Sequence, residues 1–123
     1  MRKLLYTLIA VLGFTTMSFA QEASNTAQAA DKLELISSKE SGEYTFTFPS
    51  SISIQEIEKK ALNYNEMITV SIDATSHKVT IGMVENTDMN RKIMVRMMMS
   101  CGIQYVNVNG EDLEMYNFLK AHL

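Results

Sequence analysis

The sequence is poor in the residues that mark covalent or catalytic chemistry. It has one cysteine, one proline and five glycines among 123 residues. A lone Cys101 excludes an internal disulfide and any Cys-x-x-Cys motif, so an oxidising compartment would leave it buried and inert or free to pair between chains. Glycine-rich phosphate loops, a Ser–His–Asp order and a paired carboxylate box are all missing, and Asp73, Glu85 and Asp88 are more simply turn and cap residues. The sequence is accordingly read as non-enzymatic and without a cofactor. Basic residues are outnumbered, 11 against 14 acidic, for a net charge of −3. An acidic chain of this kind is a poor partner for nucleic acid or anionic lipid. No apolar run is long enough for a good membrane span.

The longest apolar run belongs to residues 1–20, which have the layout of a secretory signal. Arg2 and Lys3 precede apolar residues 4–14, and Ser18-Phe19-Ala20 makes a small-x-small cleavage site. The expectation is an exported chain, periplasmic or secreted. Removing two basic residues takes the mature charge to 9 − 14 = −5. Residues 21–42 are read as a flexible linker, because 21–31 are small and polar and offer little surface to bury. Leu33, Leu35 and Ile36 begin a strand pattern that Ser37-Ser38-Lys39-Glu40-Ser41-Gly42 then breaks.

From Glu43 the periodicity becomes clear. Tyr44, Phe46 and Phe48 alternate with threonines, which predicts a strand ended by Pro49. Ser53 with Glu56 forms a capping box that opens a helix over 54–65, with Ile54, Ile57, Ala61 and Tyr64 as its apolar stripe. Ile68, Val70 and Ile72, then Val79, Ile81 and Met83, alternate as the two strands of a hairpin, with His77 in its turn read as solvated. A second helix is expected from Asp88 to Cys101, stopped by Gly102. Residues 103–108 read as a last strand, and 111–123 as a terminal helix. The order predicts an α+β fold: a ferredoxin-like βαββαβ two-layer sandwich over 43–108, with a C-terminal helical extension over 109–123.

Over residues 43–108 this pattern resembles the heavy-metal-associated domain of small copper chaperones and copper-pumping ATPases. The family's strand leads into Gly-Met-x-Cys-x-x-Cys, and its two cysteines fall on Ser50 and Ser53 here. Copper(I) needs soft thiolates, and a serine hydroxyl is a hard, poor ligand. The resemblance therefore implies the fold and a degenerate metal loop, with no ligand at Ser50 or Ser53.

Methionine is abundant, ten in all, and Met97, Met98 and Met99 run up to Cys101. Thioethers bind copper(I), so these four residues form an alternative metal site. They also suit core packing, and the resemblance implies that Met94, Met97 and Met98 face the sheet. Cys101, at a helix C-terminus, is disfavoured as a thiolate. Val95 and Met99 then lie on the opposite face, and Leu113, Phe118 and Leu119 of the extension need cover. These five residues are read as a contact surface, closed either within one chain or across a homodimer. The functional expectation is an exported binding or adaptor module for a protein partner that has lost its metal site. The alternative is a metal-handling protein that uses the methionines and Cys101.

Overall fold

A computed structural model describes residues 25–123. The expected signal segment, residues 1–20, lies outside the described residues. In chain order the elements are β1 (Thr26–Ala29), α1 (Lys32–Ser41), β2 (Glu43–Thr47), α2 (Ile54–Leu62) and β3 (Ile68–Asp73). They continue with β4 (Lys78–Met83), α3 (Asp88–Ser100), β5 (Tyr105–Val108), β6 (Glu111–Glu114) and α4 (Met115–His122). The architecture is α+β, with a six-stranded mixed sheet in the order β3-β4-β2-β1-β5-β6. Neighbouring strands are antiparallel except for the parallel pair β1 and β5.

Period-two alternation decides which sheet face is covered. Tyr44 and Phe46 of β2, Val79 and Ile81 of β4, and Val106 and Val108 of β5 are buried, whereas Thr45 and Glu43 are exposed. The rings of Tyr44 and Phe46 lie parallel, and Phe118 of α4 meets Phe46 edge-on at 5.9 Å, so α4 shares the buried face. The core continues through Ile57 of α2 and Met94, Met97 and Met98 of α3, all fully buried.

The helix ends are as the local chemistry requires. Ser53 Oγ accepts from the Glu56 amide at 3.1 Å to start α2. Thr87 caps α3 one residue before the expected Asp88, accepting from the Asn90 amide at 3.2 Å. At the far end Gly102 takes φ +98°. Its N–H donates to Met99 C=O, and the Ile103 N–H donates to Met98 C=O, the paired closure that a left-handed glycine permits.

Four expectations are corrected. The linker read into residues 21–42 is wrong over most of its length: Thr26–Ala29 is a strand inside the sheet, and Lys32–Ser41 is a helix. A run of small polar residues has little apolar signal of its own, but Ala27 is fully buried because β2 and β5 flank it on both sides. Leu33, Leu35 and Ile36 are helical rather than extended, because Asp31 Oδ1 accepts from the Glu34 amide at 2.8 Å and Gly42 (φ +78°) closes α1. The strand order also departs from a plain βαββαβ sheet, since β1 separates β2 from β5. Finally, the extension opens as strand β6 paired to β5 before it becomes helical.

Candidate functional site

The degenerate metal loop joins β2 to α2. Both Ser50 and Ser53 are exposed, and the Ser53 hydroxyl is engaged as the helix cap. His77, expected to be solvated, is instead partly buried with its Nε2 2.7 Å from the Ile52 carbonyl. An imidazole N–H donates to that carbonyl, so the β3–β4 turn holds this loop in place. Asp73 Oδ1 shapes the same turn by accepting from the Thr75 amide at 3.0 Å.

The sulfur residues are only partly gathered. Cys101 Sγ lies 3.8 Å from Met97 Sδ inside the core, and Met98 is also fully buried. Met99 is 41% exposed, beside a shallow depression formed with Tyr105, Met115 and Tyr116. Burial pushes the Cys101 thiol up to about 11, which keeps it protonated at neutral pH. Among the described residues, no group of three or more His, Cys, Asp or Glu side chains could hold a metal ion.

The proposed contact residues separate in the same way. Val95 and Phe118 are buried, and Leu113 and Leu119 are half-buried against the same core. Helices α3 and α4 touch each other, so the extension packs within its own chain.

Sequence reasoning missed the polar node under these helices. Arg91, 7% exposed, donates from Nε to the Leu123 carbonyl at 3.2 Å and from a terminal nitrogen to Asn86 Oδ1 at 2.6 Å. Its other terminal nitrogen pairs with Asp88, and this bond holds the Asp88 carboxyl below its usual range. Asn86 in turn donates to the Lys39 and Glu40 carbonyls at the end of α1. A single guanidinium thus links α1, α3 and α4. Beside it the Tyr44 hydroxyl is buried without a hydrogen-bond partner, and desolvation raises its pKa against the opposing charge of Arg91. The available signal was an arginine three residues after Asp88, which places the two on one helix face.

The surface best suited to a contact is the open edge of the sheet at β3. Val84 N–H donates to Met67 C=O at 2.9 Å, and the register pairs Thr69 with Gly82 and Ser71 with Thr80. Antiparallel pairing alternates, so Thr69, Ser71 and Asp73 turn their backbone groups toward β4. Ile68, Val70 and Ile72 turn theirs outward. The Ile68 N–H is satisfied by Tyr64 C=O, leaving Val70 and Ile72 with outward N–H groups unpaired in the sheet. Alongside runs a groove of about 360 Å³, floored by Ile68 and Val70 and walled by Ala61 and the 67% exposed Leu62 of α2, with Glu58, Asn65 and Thr69 as its polar lining. The opposite edge, β6, carries Glu111, Asp112 and Glu114 in four residues, while β3 has only the terminal Asp73.

Comparison with family models, with curated proteins and with solved structures gave no match. Among the described residues no helix is long and apolar enough to cross a membrane.

Proposed function

We propose that this chain is an exported, non-enzymatic binding module that captures a protein strand along β3. The observation that carries the reading is the open β3 edge beside an apolar groove. Main-chain hydrogen bonds at such an edge supply affinity, and a groove that takes alternate side chains supplies selectivity. The scaffold is, on this reading, a heavy-metal-associated-like ferredoxin unit built from β2, α2, β3, β4, α3 and β5, into which β1 has been inserted. Setting β1 aside leaves the order β3-β4-β2-β5, which supports that kinship, as does the burial of Met94, Met97 and Met98.

The test is selection of extended peptides on the purified chain. Selected peptides are expected to shift the amide resonances of Val70 and Ile72. Val70→Pro deletes an outward N–H, a change that edge strands tolerate, along with a side chain of the groove floor, so it is compared with Val70→Ala, which keeps the N–H. It should weaken binding at least about tenfold more than Val70→Ala does, equivalent to 1.4 kcal/mol. Peptides that bind Val70→Pro as tightly as Val70→Ala would overturn the reading. The metal-handling alternative draws on the 3.8 Å contact between Cys101 and Met97. Its test is copper(I) titration beside a Met97→Leu, Met98→Leu, Met99→Leu variant, and equal uptake by both chains would eliminate it.

A further inference from the structure

We propose that the β3 edge joins two copies of this chain, antiparallel and edge to edge, across a twofold axis at Ser71. The inference rests on the strand-capture reading and names the strand that is captured.

The backbone sets the geometry. Hydrogen-bonded and non-hydrogen-bonded pairs alternate along an antiparallel ladder, so a twofold axis must place one residue opposite itself. With Ser71 on the axis, Val70 of each copy lies opposite Ile72 of the other. The outward N–H and C=O groups of both residues are then paired, with four hydrogen bonds crossing the seam. The Ile68 N–H, already held by Tyr64, is not needed.

The side chains agree with this register. Asp73 falls opposite Thr69 of the second copy, and Ser71 falls opposite Ser71, so no like charges oppose each other along the strand. On the covered face, Val70 meets Ile72. The twofold axis is perpendicular to the sheet, which keeps both helix layers on one side. The two grooves beside α2 therefore open toward each other, and each brings an exposed Leu62 toward the seam, with Glu58 on the groove wall. Soluble sheets ordinarily guard an edge with charge, proline or a bulge. This sheet places three carboxylates on β6 and leaves β3 without lysine, proline or bulge. The asymmetry marks β3 as the edge that is meant to pair.

Sedimentation equilibrium of the full exported chain, over a wide concentration range, tests the proposal with two variants at an exposed position. Ser71→Lys sets two ammonium groups face to face on the axis and should raise the dimer dissociation constant at least about tenfold. Its melting curve at high dilution should match that of the wild type. Ser71→Cys should form a covalent dimer on mild oxidation, because a non-hydrogen-bonded pair brings Cα atoms to about 4.5 Å, within disulfide reach. A control change on the other edge, Asp112→Lys, should leave the dimer intact. A wild type that stays monomeric, or a dimer indifferent to Ser71→Lys, would overturn the proposal. A monomer whose selected peptides still lose binding in Val70→Pro would also overturn it, while preserving strand capture of a foreign protein. A dimer that Ser71→Lys dissociates and Ser71→Cys locks supports it, whether or not any peptide is captured.

Discussion

Replacing Arg91 with methionine should cost this protein a large part of its stability. The side chain is nearly fully buried and makes two hydrogen bonds, to the Leu123 carbonyl at 3.2 Å and to Asn86 Oδ1 at 2.6 Å. A hydrogen bond to a charged group contributes about 1.5–3 kcal/mol. Two of them bring the gross loss to about 3–6 kcal/mol. The contact with Asp88 is left out of this sum, because the carboxylate is fully exposed and water replaces its partner. Burying the methionine side chain returns about 1.5–3 kcal/mol, so the net destabilisation expected is about 1.5–3 kcal/mol, with the larger values favoured if the site relaxes little. Urea unfolding, followed by circular dichroism at unchanged slope, measures it. Pairing Arg91→Met with Asn86→Ala should show a coupling of about 0.5–3 kcal/mol, as for residues in one network. A loss under about 0.5 kcal/mol for Arg91→Met, the range of an ordinary surface change, would refute the idea that this guanidinium ties three helices together.

Three further outcomes follow from the core. Phe118→Ala removes a fully buried ring that meets Phe46 at 5.9 Å and should cost about 3–5 kcal/mol. Stopping the chain after Gly110 should lower the melting temperature at every protein concentration, as an intrachain contact requires, and an unchanged melting temperature would sink the packing described for α4. Cys101 should govern the alkaline limb of stability. Its folded pKa of about 11 lies above the ordinary thiol value of 9.0, so its contribution is intact below pH 9 and declines as pH rises from 9 to 11. Denaturation across that window should show the decline in the wild type and a flatter profile in Cys101→Ala. Identical profiles would contradict the burial argument.

The elements with a strong period were legible from sequence. Tyr44, Phe46 and Phe48 announced β2, Ser53 and Glu56 announced α2, and the alternations at Ile68–Ile72 and Val79–Met83 announced the hairpin. The sheet-facing Met94, Met97 and Met98 were read through the resemblance, and all three are fully buried. Strand β1 was not legible, since the alternation in Thr-Ala-Gln-Ala is carried by two alanines alone, whose small side chains give little apolar signal. Its place depends on β2 and β5, which lie far along the chain. Helix α1 buries only Leu35, and its evidence was confined to the caps at Asp31 and Gly42. The β3 edge illustrates a different limit. Its residues were read correctly as a strand, but whether a strand lies inside a sheet or at its border is decided by the order of all the others.

Strand β1 has a kinetic consequence. Among the described residues it is the one strand that links β3-β4-β2 to β5-β6 within the sheet. Gln28 reaches Asn107 across 79 residues of chain, whereas the β3–β4 turn closes between Asp73 and Lys78. On loop-closure entropy alone the longer connection costs on the order of 2 kcal/mol more to form. The hairpin should therefore assemble early and the β1–β5 pair late, as contacts distant in sequence generally do. Until β1 docks, β2 and β5 each present an unpaired edge, so the half-folded chain exposes four open edges where the finished sheet exposes two. Refolding at high concentration is consequently most exposed to misassembly in that interval, before Ala27 is buried between its neighbours.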